Sequence, residues 1–470
     1  MKILVTGATG YIGGRLIPRL LDQGHSVRVL VRDSSRIAGR PWSGRVEVVE
    51  GDLLEPDTAH RAAAGMDALY YLVHSMTSSG DFASQDAAAA RHVLAAAGEV
   101  RRVIYLGGLM PSSGSASEHL ASRAEVGKIL LTHPGAVELR AGPIIGSGSA
   151  SFEMIRYLTE RLPVMITPKW VHHEVRPIAI RDVLAYLLGA LDSPVTGGLD
   201  IGAEPVRFMD MMRTYAEIRG LRRWILPVPV LMPGVAARWV GWITPIPNRL
   251  AVPLIYGIQK PLVGDMSRAH EAFPEIEPLP YRDAVERALR KVERGDVETR
   301  WSGALGDGPG YALTDWEGMI HEVRQASTQA SPEQVFKTLS SLGGDRGWLV
   351  WNWAWSLRGF LDRVVGGPGL RRGRRHATEL LVGESVDFWR VEAVEPNALL
   401  RLRAEMKLPG RAWLEFEVRR GDDGTTHLTQ TARFASKGLA GAFYWYGLYP
   451  IHRWIFRDMI LAIVRAAEAG

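Results

Sequence analysis

The N-terminal segment constrains the fold of this chain more than any other stretch. A short apolar run, KILVTG, leads into the turn TGATGYIG, which spaces Gly7, Gly10 and Gly13 evenly. The first glycine permits a tight bend, the second lets the backbone approach a pyrophosphate, and the third lets the next helix pack on the strand. The turn opens the helical pattern YIGGRLIPRLLDQG, so it predicts a dinucleotide site rather than a merely structural bend. The expected cofactor contacts here are Gly7, Thr9, Gly10, Tyr11, Ile12 and Gly13.

Strand and helix patterns alternate through residue 150. The runs SVRVLVRD, VEVVEGD, DALYYLVHS, RRVIYLGG and AVELRAGP follow the first strand, with helical stretches such as DAAAARHVLAAAGE between them. Short apolar runs separated by helices are typical of strands buried on both faces of a parallel sheet. The predicted fold class is α/β, with a doubly wound parallel Rossmann sheet.

The end of the second predicted strand indicates which dinucleotide is bound. NAD-binding folds usually carry an acid there, which holds the ribose 2′-hydroxyl. This chain has Arg32 at that place and Arg36 soon after it. A guanidinium suits a 2′-phosphate, which an acid would repel. The sequence therefore favours NADP (NADPH) over NAD. It leaves open that both arginines are simply solvated, or that Asp33 contacts a ribose.

Two further strand ends supply candidate cofactor contacts. The segment EGDL puts Asp52 and Leu53 where an adenine edge commonly rests, and LVHS puts His74 and Ser75 at the end of the fourth strand. Ligands bind at the carboxyl ends of the strands in such sheets. All four residues are predicted to line the cofactor cleft; the alternative is that they only cap their strands.

Several motifs together carry a family resemblance. The segments VTGATGYIGGRL, VLVRD, GDL, DAAAARHVLAAA and RPIAIRDVLAYL resemble the atypical or extended short-chain dehydrogenases, the NmrA-like NAD(P)-binding group in particular. The resemblance covers residues 1–295. It implies a Rossmann domain in which residues 151–295 contain the insertions of a small substrate domain over the strand ends.

The resemblance also implies a proton-transfer site, from which this chain departs. The family uses a tyrosine as acid or base, a lysine four residues later, and a serine at the end of the preceding strand. Here His119 and Arg123 stand in the first two places, and Gly107 and Gly108 end the strand. Imidazole exchanges protons near neutral pH, whereas arginine keeps its charge and cannot shuttle a proton. His119 and Arg123 are the candidate catalytic residues; the alternative is that they are ordinary polar residues lining the cleft.

A different pattern begins after residue 295. Residues 296–315 are rich in glycine and polar side chains and read as a linker. Residues 316–470 show strands with period-two alternation and close with a long apolar helix, which resembles the START-like helix-grip fold. That resemblance implies an α+β domain holding an apolar ligand between sheet and helix. The tryptophans of GWLVWNWAWSL either line such a site, fill the core or cover a subunit interface.

Composition excludes several kinds of chemistry and partner. The chain has no cysteine, so thiolate catalysis, disulfides and cysteine-ligated metals are excluded, and no metal site is expected. A net charge of +5 without a nucleic-acid motif predicts no nucleic-acid partner. The N-terminus lacks a signal-peptide pattern, so a cytoplasmic location is expected. Proline-broken apolar stretches at residues 224–263 and 438–467 are unsuited to span a bilayer but leave open peripheral contact with the inner face of a membrane.

These observations define two function classes. The first is an NADP-dependent oxidoreductase that acts on a bulky lipophilic substrate. The second is a non-catalytic NADP(H)-binding regulator or assembly factor whose C-terminal domain receives a small lipophilic molecule. The glycine turn fits both classes equally, and the missing tyrosine and lysine favour the second. The sequence leaves the substrate, the reaction direction and the oligomeric state open.

Overall fold

A computed structural model describes residues 1–37, 40–73, 82–228, 248–294, 312–316, 319–364, 380–421 and 423–469. The chain divides into two compact units, Met1–Asp307 and Gly308–Gly470.

A parallel sheet of seven strands forms the centre of the first unit. Its order is β11-β6-β5-β4-β1-β2-β3. The strands are β1 (Lys2–Thr6), β2 (Ser26–Val31), β3 (Glu47–Glu50), β4 (Ala68–Tyr71), β5 (Arg102–Gly108), β6 (Ala136–Ala141) and β11 (Gly197–Ile201). The chain builds outward from β1 to β3 and then crosses to β4, so the direction of winding reverses between β1 and β4. The predicted doubly wound α/β fold is confirmed, and its ligand-binding switch point lies at the ends of these two strands.

The described helices of the first unit cover both faces of this sheet. They are α1 (Gly13–Asp22), α2 (Pro56–Ala63), α3 (Phe82–Ala96), α4 (Glu118–Leu130), α5 (Ala150–Arg161), α6 (Ile180–Asp192), α7 (Phe208–Arg219), α8 (Asn248–Gly257), α9 (Ser267–Ala272) and α10 (Tyr281–Arg294). Apolar residues of α1 and α6 share one core with the sheet, and those of α2, α3 and α4 share another. Every residue of β4 and β5 is therefore buried, as expected for central parallel strands.

A third apolar core lies in the region predicted to hold the substrate domain. It joins residues of α5, α7, α8 and α10. Short strands pair in twos around it, β10 with β7, β12 with β9 and β13 with β8. These strands are β7 (Ile144–Ile145), β8 (Val164–Pro168), β9 (Glu174–Val175), β10 (Ile178–Ala179), β12 (Val206–Arg207) and β13 (Trp224–Val228).

The second unit is an antiparallel sheet of seven described strands in the order β14-β15-β20-β19-β18-β17-β16. These are β14 (Ala312–Trp316), β15 (Met319–Thr328), β16 (Ser385–Val386), β17 (Trp389–Glu395), β18 (Leu399–Ala404), β19 (Gly410–Arg420) and β20 (Thr426–Ser436). Its helices are α11 (Pro332–Leu339), α12 (Asn352–Val364) and α13 (Gly438–Ala469). The long helix α13 buries Phe456, Met459 and Ile463 in the same core as the sheet residues Leu414 and Phe434.

The predicted C-terminal boundary of the linker, at residue 315, is wrong. Residues 312–315 belong to β14, which pairs with β15 from Ala312 opposite Val323 to Trp316 opposite Met319. The sequence did not predict this edge strand, because the stretch before it is rich in glycine and the strand is stabilised by pairing with β15. Residues 296–311 of the predicted linker lie outside the described residues.

Within the part of the chain that the structure describes, no helix combines the length and the apolarity that crossing a bilayer requires.

Candidate functional site

The glycine turn after β1 has the geometry that close approach of a phosphate needs. Gly7 has a φ of +77°, and a Cβ there would lie 2.5 Å from the carbonyl oxygen of Leu72. A Cβ on Gly13 would lie 2.4 Å from the carbonyl oxygen of Gly7. The amide of Gly10 donates to that same carbonyl at 3.0 Å. The turn is therefore closed by its own backbone, and the N-terminus of α1 sits directly behind it.

A cleft opens beside this turn and contains about 1170 Å³ of empty space, its open mouth included. Its lining joins the glycine turn to the ends of β2, β3 and β4 and to α3. Seven predicted cofactor contacts line it, namely Gly7, Thr9, Gly10, Arg32, Arg36, Asp52 and Leu53. Tyr11, Ile12 and Gly13 are not among the lining residues; Ile12 caps α1 and Gly13 begins it. His74 and Ser75 lie outside the described residues.

Two arginines line the cleft beside the end of β2. Arg32 is exposed, while Arg36 is half-buried and its Nε has no hydrogen-bond partner among the described residues. A carboxylate is also near, because Glu50 accepts the backbone N–H of Ser34 at 3.2 Å. The Glu50 carboxylate is thus hydrogen-bonded to the backbone of the loop that contains Arg32 and Arg36. The two guanidinium groups can therefore contact an anion at the edge of the cleft.

Asp52 and Leu53 take different places in the cleft wall. The Asp52 carboxylate accepts the backbone N–H of Leu54 at 3.0 Å, which is the capping role that the sequence left open. Leu53 is buried and packs in the core shared by β1, β4 and α3. Sequence reasoning missed Asp86 of α3, which lines the cleft and accepts a hydrogen bond from Ser122 of α4 at 3.3 Å.

The candidate catalytic residues lie on α4, beside the end of β5. Ser117 caps this helix by accepting the N–H of Leu120 at 3.4 Å, which places His119 in the first turn with 9% of its surface exposed. One turn later, Nη2 of Arg123 donates to the carbonyl of Leu106 at 2.7 Å. A Cβ on Gly108 would lie 3.7 Å from Arg123 Nε. The hydrogen bond from Arg123 therefore links α4 to the C-terminal end of strand β5.

The space of the absent serine is filled by a buried carboxylate. A Cβ on Gly107 would lie 2.3 Å from Glu138 Oε1, and one on Gly127 of α4 would lie 2.5 Å from the same atom. Glu138 is thus packed between two glycines, and its Oε2 pairs with Arg140 Nε at 2.9 Å. Burial raises the pKa of the Glu138 carboxyl, and the charge of Arg140 opposes that shift. A side chain at Gly107 would have to displace the Glu138 carboxylate from this position.

An apolar pocket lies in the third core and contains about 530 Å³ of empty space, its opening included; sequence reasoning did not single it out. Met154 and Leu158 of α5, Phe208 of α7 and Ile255 of α8 line it. Leu120, next to His119 on α4, belongs to the same apolar cluster as Ile255 of the pocket wall.

Two polar groups in the wall of this pocket have no hydrogen-bond partner among the described residues. They are Trp170 Nε1 and Thr167 Oγ1, both buried atoms. A buried polar atom without a partner is uncommon, and a ligand or water normally satisfies it. An otherwise apolar wall with a donor and a hydroxyl suits a largely hydrophobic molecule with a few polar atoms. Among the described residues, no cluster of three or more histidine or acidic side chains could hold a metal ion.

Comparison with known proteins identifies families that this chain resembles. Residues 7–133 match the family described as NAD(P)H-binding, and residues 319–459 match a family described as protein of unknown function (DUF2867). Ceramide reductase from Caulobacter vibrioides is 30% identical over 238 residues, which cover 48% of this chain and 73% of that protein. The chain belongs to the same family as ceramide reductase. The predicted resemblance to NmrA-like, short-chain-dehydrogenase-type NAD(P)-binding proteins is thereby confirmed.

Two further proteins are similar to this chain. Sterol demethylase protein B from Methylococcus capsulatus is 27% identical over 278 residues, covering 55% of this chain and 80% of that protein. A nucleoside-diphosphate-sugar epimerase from Staphylococcus aureus has a TM-score of 0.50 at 15% identity, covering 61% of this chain and all of that one. The epimerase shows the Rossmann-type fold alone. The first unit is an NAD(P)-binding, oxidoreductase-like domain.

Proposed function

We propose that the chain is an NADP-dependent oxidoreductase acting on a bulky lipophilic carbonyl or alcohol. The observation that carries this proposal is the apolar pocket that shares a core with the helix bearing His119. The pocket could receive an apolar body while a reacting carbon sits between His119 and the end of β5. Two relatives are named for lipophilic molecules, a ceramide and a sterol.

The choice of NADP rests on charge at the cleft edge. Arg32 and Arg36 line the cleft, and the buried Nε of Arg36 lacks a partner among the described residues. A 2′-phosphate would satisfy it with a charge-assisted hydrogen bond. The hydroxyl of NAD offers no comparable charge at that place.

The chemistry assigns separate tasks to two residues. NADPH, when bound, supplies a hydride to a carbonyl carbon. His119 then gives a proton to the carbonyl oxygen, or takes one from the alcohol in the reverse direction. Arg123 keeps α4 at the end of β5 and provides positive charge near the cofactor ribose without exchanging protons.

The test is turnover by the purified chain, measured by NADPH absorbance with a long-chain ketone and a ketosteroid as substrates. We expect His119→Ala to lower kcat by about a hundredfold or more while the Kd for NADPH stays nearly unchanged. The double variant His119→Tyr, Arg123→Lys restores the family pair and should retain turnover. Unaltered turnover in His119→Ala would assign proton transfer to another group.

A second candidate function has its own support. Glu138 fills the place of the carbonyl-polarising serine, and Arg123 is hydrogen-bonded to the backbone. Both features suit a non-catalytic NADP(H)-binding regulator or assembly factor. Under this alternative, no ketone would speed NADPH oxidation, and NADPH binding would instead change the affinity of the chain for a lipophilic ligand.

The second unit supports the receptor part of either function. We propose that its antiparallel sheet and helix α13 form a START-like helix-grip domain for a lipophilic molecule. Peripheral membrane contact, a cytoplasmic location and the lack of a nucleic-acid partner stay predictions. Exposed apolar side chains on α12 and α13 support the membrane contact; the most exposed are Phe443, Val364, Trp353 and Phe360.

A further inference from the structure

The second unit contains a large apolar cavity of its own. It lies between the sheet, α12 and α13 and contains about 1050 Å³ of empty space, its opening included. Its walls are almost entirely hydrocarbon and aromatic, for example Leu408 after β18, Phe434 of β20 and Phe456 of α13. A space of this size and composition holds a drug- or lipid-sized molecule.

Four tryptophans of this wall have indole N–H groups without an acceptor among the described residues. Trp355, Trp389, Trp413 and Trp445 all line the cavity and are at least nine-tenths buried. Their Nε1 atoms are buried and have no hydrogen-bond partner within the described ranges. By contrast, Trp348 donates to Asp387 and Trp351 donates to Asp458, both at 2.9 Å. Because buried indole donors usually find an acceptor, these four orphan indoles mark a place for acceptor atoms that the described residues do not supply.

A positive charge stands in the same wall. The guanidinium of Arg358 lies 5.3 Å above the ring of Tyr444, and its Nη2 is buried without a hydrogen-bond partner among the described residues. The acid one helical turn away, Asp362, accepts the backbone N–H of Lys407 at 2.8 Å. No ion pair joins Arg358 to a carboxylate in the part of the chain that the structure describes. A guanidinium nitrogen buried in this way is normally matched by an anion or another acceptor.

His452 completes the polar set without adding charge. It lines the cavity, its ring meets that of Trp445 edge-on at 5.3 Å, and its Nδ1 is buried without a partner among the described residues. Burial, assisted by the charge of Arg358, lowers the pKa of His452 to about 4. A second arginine of the lining, Arg433, pairs with Glu415. At neutral pH the cavity therefore presents, on Arg358, a positive charge that no carboxylate of the described residues pairs with, next to hydrogen-bond donors.

We infer that this cavity binds a single-chain amphiphile whose head group is an oxyanion, a carboxylate or a phosphate. The head group pairs with Arg358 and accepts hydrogen bonds from the buried indoles, and the chain lies along the apolar wall. The inference rests on the proposed receptor role of the second unit and adds the class of ligand to it. It is independent of the redox chemistry proposed for the first unit.

The rim of the cavity provides an entrance for such a ligand. Trp353, Leu357 and Leu361 of α12 and Ile451 of α13 line the cavity and are also exposed. Apolar side chains at an opening lower the cost of passing a hydrocarbon chain from a bilayer or micelle into the interior.

The experiment uses the full chain and the fluorescent fatty acid cis-parinaric acid, displaced in turn by hexadecanoic acid, hexadecanol and a lysophosphatidic acid. We expect the acid and the lysophosphatidic acid to bind at least tenfold more tightly than the alcohol. Arg358→Met should weaken both anions by about ten- to a hundredfold and leave the alcohol unchanged. Arg358→Lys, which keeps the charge, should recover part of the loss.

Controls separate this inference from a folding defect and from the receptor role. Arg465→Met removes the same charge from the exposed face of α13 and should change no affinity. Near-ultraviolet circular dichroism checks that each variant folds. Equal binding of acid and alcohol, insensitive to Arg358→Met, would overturn the oxyanion inference while leaving the receptor role standing. Failure of all the amphiphiles to bind would overturn both.

Discussion

Arg32 carries the proposed cofactor preference, because it stands at the end of β2 where NAD-binding folds place an acid. We expect Arg32→Ala to weaken NADPH binding by about 1.5 to 3 kcal/mol, the value of a hydrogen bond to a charged group, and to leave NADH binding unchanged. Arg36→Ala should act in the same direction. Titration of each variant with both cofactors measures this.

Arg45 provides the matched control for that titration. It is exposed, pairs with Asp22 at 3.4 Å and is not among the residues lining the cleft. Arg45→Ala should therefore leave both affinities unchanged. Equal affinities of the native chain for NADPH and NADH would contradict the preference.

Single residues differ in how far the sequence reveals their role. The glycines of the turn were predictable because a tight bend and a close helix leave a fixed spacing in the sequence. The packing of Glu138 against Gly107 and Gly127 was not, because it joins β6 to β5 and α4 through side-chain placement alone. The orphan indoles are equally hidden, since a tryptophan with an acceptor and one without look the same in a sequence.

Helix α13 makes the stability of the second unit sensitive to acid. His452 has a folded pKa lowered to about 4, against an ordinary value of 6.5, because of burial and the charge of Arg358. The unfolded chain therefore binds more protons between these two values, so stability is fully present above pH 6.5 and is lost as the pH falls towards 4. We expect a loss of about 2 to 3 kcal/mol over that window.

Urea unfolding followed by tryptophan fluorescence at a series of pH values measures this loss. His452→Phe should remove most of the loss between pH 6.5 and pH 4, since Phe carries no titrating group into the wall. His427→Phe, at an exposed position of β20, is the control and should leave the acid sensitivity in place. An unchanged pH profile in His452→Phe would show that other groups cause the effect.

The elements themselves followed the sequence closely where periodicity was strong. The alternating segments of the second unit became β15 and β17 to β20, and the apolar C-terminal run became α13. Strand β14 was missed because an edge strand in a glycine-rich stretch depends on its neighbour. The pocket beside His119 was missed for a related reason: α5, α7 and α8 are far apart in the sequence and meet only in the fold.

The two compact units predict independent folding of the second one. The described residues of its core run from Ile320 to Ala467 and all belong to the second unit. We expect residues 308–470, expressed alone, to unfold cooperatively on heating, as single domains of this size usually do. Saturating hexadecanoic acid at about a hundred times its Kd should stabilise the fragment by about 2.7 kcal/mol.

Calorimetry of the fragment with and without the acid provides the measurement, and NADPH is the matched control ligand. NADPH should leave the transition in place, because the glycine turn and its cleft belong to the other unit. A broad, non-cooperative transition would show that the second unit depends on the first for its structure.

The carboxylate of Glu138 between Gly107 and Gly127 also bears on how this chain could have diverged from its tyrosine-and-serine relatives. A side chain at either glycine would have to push the Glu138 carboxylate out of its place, whereas shortening Glu138 would open that space but strip Arg140 of its 2.9 Å partner. We therefore expect the three positions to be epistatic, so that the effect of Gly107→Ser depends on which residue stands at position 138.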